Sequence, residues 1–477
     1  MRLALLLFSL FLSACAATTT FTRYPSKIAP YKQSLSTVRP PDLSQCLVSE
    51  CSSADAILYW MERGRMAQIV DSLDVSMRDY AAAMEKIREN DDRAVVSASQ
   101  IGSNAAAVMV NDNAIPYEGE WYERIALHHY QAINYLRKGD LEGARVEARR
   151  ANAEQEEALR RFEGEVEKAT EKAKEKGIGP AQLGPVHRQY AQLDEIAGKV
   201  KNSFQNACTF HLSGLIYELA GEENDAYIDY KRALEIHPDN RTLQRDVIRL
   251  AKRLGMGDDL SELTRRFSID PDTIPAEGGN VVVIHDEGFV PEKKEVKIPV
   301  PIPGSGIIAL AFPIYEPKYA PPLPLEVLID EQDHPWSEPL CDYRILAVKA
   351  LKEKVPSMVT RMVIRAIVKA TSAHEAKKRG GAGAGLLATL WNVVSENADL
   401  RSWLTLPEAS AITRFSIPPG NHEIRFQTAT GTTRPLPLTV EPGKLYLIQV
   451  THLGGATWIT DVSLPFRTTT IQSRSTP

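Results

Sequence analysis

Three carboxylates, Glu118, Glu120 and Glu123, stand among three aromatic residues, Tyr117, Trp121 and Tyr122, and such a group can hold a cation or act as acid and base. Either role needs a histidine or aspartate fixed beside the carboxylates. The neighbouring sequence supplies none, so acids meeting the dipole of a starting helix are the better reading. None of the ten histidines falls in a metal-ligand or triad motif. Cys46 and Cys51 lie five apart and can close a small disulfide in an oxidising compartment, whereas a metal pair there lacks a nearby histidine or further cysteine. Cys208 reads as a buried, inert thiol. Ile302 to Gly306 has no phosphate-loop spacing, and Gly380 to Gly385 is no dinucleotide fingerprint. The residues thus point to no catalytic site, no cofactor and no metal.

The elements that must carry these residues begin with a leader. Arg2 is followed by an apolar run from Leu3 to Leu12, too short to span a bilayer as a helix, and then by Ser13, Ala14 and Cys15. Leu12 to Cys15 resembles a bacterial lipobox. The resemblance implies that residues 1–14 are a signal peptide, that cleavage precedes Cys15, and that Cys15 is acylated on sulfur and amino group. Three acyl chains anchor firmly. Ala16 stands where inner-membrane lipoproteins often carry aspartate, so the expected address is the outer membrane, on its periplasmic face. Residues 15–53, with Pro25, Pro30, Pro40 and Pro41, read as a lipidated flexible tether. A net charge of -5 and the lack of a basic face argue against nucleic acid as a partner.

The strongest pattern runs from Ala207 to Asn240. Gly214, Tyr217, Gly221, Ala226, Tyr230, Ala233 and Pro238 fall at offsets 0, 3, 7, 12, 16, 19 and 24, and the stretch looks like a tetratricopeptide repeat. Tyr135, Gly139, Ala144 and Ala151 repeat the pattern with Ala132 for the first glycine. Gly64, Ser76, Tyr80 and Ala83 repeat it again, with Ala67 where tyrosine is usual. Residues 54–270 are therefore expected to form a tetratricopeptide-like α-solenoid, capped by the amphipathic stretch Leu243, Val247, Leu250 and Leu254. The first helix of each such pair lines a groove. The lining offsets hold His129, Ile133 and Leu136 in one repeat and His211, Leu215 and Leu219 in another, a largely apolar set that suits an apolar peptide or helix. The two histidines share one offset and equally suit a role as fillers of helix crossings.

Between these repeats, Leu159, Phe162, Val166, Ala169 and Ala173 and then Val186, Tyr190, Leu193, Ala197, Val200 and Phe204 keep heptad spacing, broken by Gly177 to Pro185. This predicts a protruding antiparallel helical hairpin over about 159–206. Residues 271–470 read as a small β-sheet or sandwich domain. Its strand signals are Asn280 to Ile284, Val296 to Val300, His422 to Phe426 and Leu445 to Val450, with Val281 pairing the late strands. Pro299 to Pro339 is too rich in proline for helix. A helical hairpin is expected over about 355–396, with Arg361, Arg365 and Lys369 turned to solvent or anionic headgroups and Gly380 to Gly385 breaking it.

The fold class expected is thus α+β multidomain. Gly119-Glu120, the run from Tyr130 to Ala151 and the cluster Asp399 to Pro407 together resemble a family of uncharacterised tetratricopeptide-repeat lipoproteins of Gram-negative bacteria. The resemblance covers most of the mature chain and implies fold and address, with a place beside envelope lipoproteins that activate peptidoglycan synthesis. The function expected is a non-enzymatic, lipid-anchored scaffold that binds an envelope protein in its groove. The alternative is a cell-wall or lipid-precursor hydrolase with a long-range site, in which His285, His374, His422 or His452 would meet a carboxylate and a serine.

Overall fold

The computed structural model describes residues 23–97, 112–175, 177–274, 279–302, 306–394 and 397–463. Cys15 and the leader lie outside them. A helical N-terminal region is followed by a region of sheets, with helix Tyr343–Val394 set between strands of the latter. Described in chain order, the helices are α1 (Tyr24–Leu35), α2 (Ala56–Ile69), α3 (Leu73–Ser97), α4 (Trp121–Arg137), α5 (Leu141–Glu175), α6 (Pro180–Tyr190), the single turn α7 (Asp194–Ala197), α8 (Ala207–Leu219), α9 (Glu223–Ile236), α10 (Arg241–Arg253), α11 (Gly257–Phe267) and α12 (Tyr343–Val394).

Helices α2/α3, α4/α5 and α8/α9 are antiparallel pairs closed by one recurring turn. Asp71, Gly139 and Gly221 take positive φ (64°, 72° and 77°). The next residues, Ser72, Asp140 and Glu222, each donate a backbone N–H to the carbonyl five residues back, on Ala67, Tyr135 and Tyr217 (2.8–2.9 Å). This is the glycine-type stop that satisfies the last carbonyls of a helix. Gly255, at φ 70°, repeats it between α10 and α11, so the expected capping helix has a partner of its own. Within the pairs, close approach depends on volume. A Cβ on Gly64 would come within 2.5 Å of the Tyr80 ring, and one on Gly214 within 2.7 Å of the Tyr230 ring. The middle pair places Ala132 and Ala148 at these two positions, both buried, trading a glycine and a ring for two methyl groups.

Among the described residues twelve strands follow α11, six before α12 and six after it: β1 (Gly279–Glu287), β2 (Lys294–Ile302), β3 (Gly306–Ile314), β4 (Glu326–Ile329), β5 (Gln332–Trp336), β6 (Glu338–Asp342), β7 (Ala409–Ile417), β8 (Gly420–Thr428), β9 (Gly431–Thr432), β10 (Leu436–Val440), β11 (Leu445–Leu453) and β12 (Ala456–Ser463). They form a five-stranded sheet in the order β12-β11-β1-β7-β6, a second sheet in the order β10-β8-β4-β5 with β9 on β8, and the two-stranded ribbon β2-β3. Val281, Val283, Tyr446, Ile448 and Val450 from the first sheet pack on Val327, Ile424, Phe426 and Leu438 from the second, the core of a sandwich. Val281 does pair the late strands, against Tyr446 on one side and Phe415 on the other. The β1/β11 pairing is parallel, so the sandwich is mixed rather than purely antiparallel.

Four expectations are corrected. The tether is ordered from Arg23 onward, because Ile28 and Leu35 of α1 are fully buried and Trp458 Nε1 donates to the Leu35 carbonyl (3.0 Å). Composition alone missed these few anchors in a polar segment. The arm over 159–206 is no free hairpin. Pro180 starts an eleven-residue helix that lies on β2, where Gln182 Nε2 donates to the Pro301 carbonyl (3.2 Å) and Tyr190 Oη to that of Pro313. The heptad residues Val186, Tyr190 and Leu193 are buried against the ribbon and α12 instead of against α5 alone. Helix α12 runs unbroken for 52 residues, through Gly380 to Gly385. Glycine weakens a helix but keeps its N–H, whereas proline removes it. Finally, Arg365 is 2% exposed and bonds Asp112 (2.5 Å) rather than solvent.

Candidate functional site

The positions expected to line a groove are filled. His129, Ile133, Leu136, His211 and Leu215 are at most 1% exposed, and Leu219 is half-buried. Helix α4 approaches β12, α8 approaches β6 and α10 approaches β7, so the five-stranded sheet covers the face on which these residues converge. An open groove, the expectation for this set, is absent at these positions. His129 packs edge-on to Tyr130 (5.0 Å between centroids), and burial pushes its pKa down to about 4. His211 Nε2 lies 3.4 Å from Asp246, with its ring 5.2 Å from that of Tyr230. His211 thus sits at a crossing of α8 with α9 and α10, and His129 is buried on α4.

The segment from Asp399 to Glu408 enters this face and turns at Leu404 and Thr405, where Leu406 N donates to the Trp403 carbonyl (3.4 Å). The Trp403 side chain is fully buried, with its ring near-perpendicular to those of Tyr80 and Tyr130 (centroids 5.9 and 6.2 Å away). Three consecutive backbone N–H groups are read by carboxylates. Trp403 N donates to Glu123 (2.8 Å), and Leu404 N and Thr405 N donate to the two oxygens of Glu62 (2.7 and 2.9 Å). Tyr24 Oη of α1 also donates to Glu62 (2.7 Å), which ties the N-terminal helix to the same centre. Burial pushes Glu62 up to about 7, against the pull of these hydrogen bonds. Glu123 is raised as well, by burial and by Glu120, while it accepts from Tyr117 and Tyr122. Glu120 is the N-cap of α4 in a capping box with Glu123, and Glu118 is exposed. Thus Glu120 does meet a starting helix, but Glu123 also holds the inserted chain. Arg401 fastens the entry through Asp55 (2.5 Å), Asp399 (2.7 Å) and the Ile115 carbonyl (2.9 Å).

Two further polar centres join helices to sheet. Arg65 and Asp286, both at most 1% exposed, pair at 2.8 Å, and Ser410 and Gln449 donate to the same carboxylate (2.5 and 2.9 Å). Arg65 reaches Gln68 (2.6 Å), which in turn donates to Asn134 (2.7 Å). Arg249 of α10 and Arg414 of β7 share Glu218 and Asp246. Although burial opposes it, Arg249 and Arg414 hold Glu218 well below the usual carboxylate range. Arg414, His211 and Arg249 hold Asp246 at about 2 in the same way. Beside this centre lies a cleft of about 310 Å³ lined by Arg245, Thr273, Asn280 and Ser416.

Cys46 and Cys51 are free thiols in the structure, so the expected disulfide is not formed. Burial pushes Cys46 up to about 12, and Cys51 Sγ faces the Leu47 carbonyl (3.3 Å). Among the described residues no cluster of histidine, cysteine and carboxylate has metal-binding geometry. His422 pairs with exposed Asp330 (2.7 Å), His452 with Thr457 (3.0 Å), and His285 Nε2 is buried without a hydrogen bond. None of these three joins a carboxylate and a serine hydroxyl; the His374 side chain lies outside the described ones. Sequence reasoning missed Glu62, Arg65, Asp286 and Arg414. The available signal was charge in the wrong place: Glu62 and Arg65 inside the apolar AILYWMERGRMAQI, and Asp286 at the end of VVVIHDE. Comparison with protein-family models, with curated proteins and with solved structures finds no match.

Proposed function

We propose that the chain is a lipid-anchored scaffold of the bacterial periplasm, a tetratricopeptide-like superhelix whose groove is committed to its own C-terminal region, and that envelope proteins dock on its outer face. The observation that carries this reading is the inserted segment. A repeat groove holds a peptide by burying an anchor side chain and satisfying its backbone, and Trp403 with the Glu62 and Glu123 contacts does both in cis. A partner competing for that place would have to displace a fully buried tryptophan and strip two buried carboxylates of three backbone N–H donors. The recurring turn and the Gly64/Tyr80 and Gly214/Tyr230 contacts support the repeat assignment. Anchoring rests on the lipobox resemblance at Cys15.

Photocrosslinking in cells tests the assignment of faces. Leu159 on α5 and Ile228 on α9 are about half exposed (52% and 47%) on the second helices of their pairs. Crosslinkers placed there should capture envelope proteins, whereas those at His129 or Leu215 should capture only the chain itself. Capture of another protein from the two buried positions would restore an open groove and overturn the reading. Cys15→Ser should leave a protein that is unprocessed or that high salt releases from membranes, because the acyl chains that resist salt are gone. A processed variant still pelleting with membranes after a high-salt wash would sink the anchor.

A further inference from the structure

We infer that helix α1 and the turn after it form a second, electrostatic membrane contact that presses the body against anionic lipid headgroups beside the acyl anchor; this deepens the anchored reading above and rests on it. In a chain of net charge -5, the stretch from Ala16 to Pro41 carries Arg23, Lys27, Lys32 and Arg39 and no acidic residue. The structure fixes these cations on the body instead of on a loose tether, because Tyr24, Ile28 and Leu35 are buried. Arg23 and Arg39 are exposed, while Lys27 and Lys32 lie over the rings of Tyr59 and Phe289 (5.8 and 5.1 Å).

Chain length then decides where this surface sits. A tether reaching Ser53 would let the body roam far from the bilayer, but Arg23, eight residues after Cys15, already meets Glu295 of the body. Eight extended residues span at most about 28 Å. The basic helix therefore stays within that distance of the anchor, from where it can enter the surface potential that decays within about one Debye length. Glu295, 10% exposed, lies 3.5 Å from Arg23; buried Glu62, Glu292 and Glu408 act on Lys32, and Asp42 follows the turn. At the same end of the β2-β3 ribbon, Lys294 and Lys318 stand against Glu316, and Glu292 acts on Lys294 as well. Basic residues beside a lipid chain supply the second signal that steadies anchoring on anionic leaflets.

Vesicle flotation tests the contact without the anchor. The chain from residue 15 onward, with Cys15→Ser so that no acyl group contributes, is mixed with vesicles of phosphatidylethanolamine and phosphatidylglycerol or of phosphatidylcholine alone. Binding to the phosphatidylglycerol vesicles is expected, weakened by salt and reduced roughly tenfold or more in the Arg23→Gln/Arg39→Gln variant. Arg149→Gln/Arg160→Gln, which removes two exposed cations from α5, serves as the matched control and should bind as the parent does. Circular dichroism verifies that each variant is folded. Equal binding by parent and Arg23/Arg39 variant, an equal loss in the control, or equal binding to phosphatidylcholine overturns the inference. The mass of the N-terminal peptide from cells reports acylation separately, so loss of the anchor and loss of this contact are told apart.

Discussion

The seam inside each helix pair and the seam between helices and sheet solve the same problem in opposite ways. Inside a pair, a glycine faces a tyrosine ring sixteen residues on, and contact is apolar, local and set by volume. Between helices and sheet, Arg65 meets Asp286 across 221 residues, and Glu62 meets the Leu404 and Thr405 amides across some 340. The first seam tolerates variation, as the Ala132/Ala148 pair shows. The second does not: a buried charge that loses its partner keeps its desolvation cost and gains nothing back.

The largest effect should therefore come from the long-range seam. Asp286→Ala leaves the Arg65 guanidinium buried and unpaired, along with the Ser410 and Gln449 donors, and should cost about 3–5 kcal/mol in chemical unfolding. Replacing both partners with apolar residues of similar size should cost far less. A near-neutral Asp286→Ala would mean that water reaches the pair and that the two seams do not differ in kind. The local seam should break more gently. Gly214→Ala puts a methyl group 2.7 Å from the Tyr230 ring and should cost about 1–3 kcal/mol by overpacking, measured the same way.

That contrast also explains what could be read from the sequence. The helix pairs were legible because their determinants recur at fixed offsets: Gly214, Tyr217, Gly221 and Tyr230 each do their work within one turn-linked pair. The strands near Val281 and Val450 were legible from β-branched alternation. The filling of the expected groove positions was not. His129 and Leu215 have the same pattern whether they face a partner or the chain's own sheet, since periodicity gives a direction and not an occupant. Asp399 to Pro407 stood out as a dense polar and aromatic cluster, yet nothing local could say that Glu62 and Glu123 would hold its amides. Gly380 to Gly385 misled because glycine permits a break without imposing one, and the tether misled because three buried side chains outweighed many polar ones.

A pH series sharpens the comparison at one residue. In the folded chain burial pushes Glu62 up to about 7, against 4.5 for an ordinary glutamate, so the folded state holds a proton that the unfolded chain releases. The linked stability is fully present below about 4.5 and is lost as pH rises toward 7. Glu62→Gln removes that dependence. Difference melts of parent against variant should show the parent losing ground between these pH values and running parallel above them. A parent that gains relative stability over that range would show that the Tyr24, Leu404 and Thr405 hydrogen bonds to the carboxylate outweigh its desolvation.

The smallest effect expected is the counterpart of the first, an ion pair of ordinary type in the opposite environment. Arg88 and Glu85 pair at 2.6 Å on the outer face of α3, with side chains 67% and 55% exposed. Water solvates both partners whether or not they meet, salt screens what attraction remains, and holding two long side chains in one geometry costs entropy. Arg88→Ala should therefore leave the thermal midpoint unchanged within error, at low salt and at high. Arg65 forms a pair of similar length and has no such freedom, because its partner and its surroundings are dry. If Arg88→Ala destabilised the chain as much as Asp286→Ala, burial would not be what separates the two pairs, and the account of the helix-to-sheet seam would have to rest on packing alone.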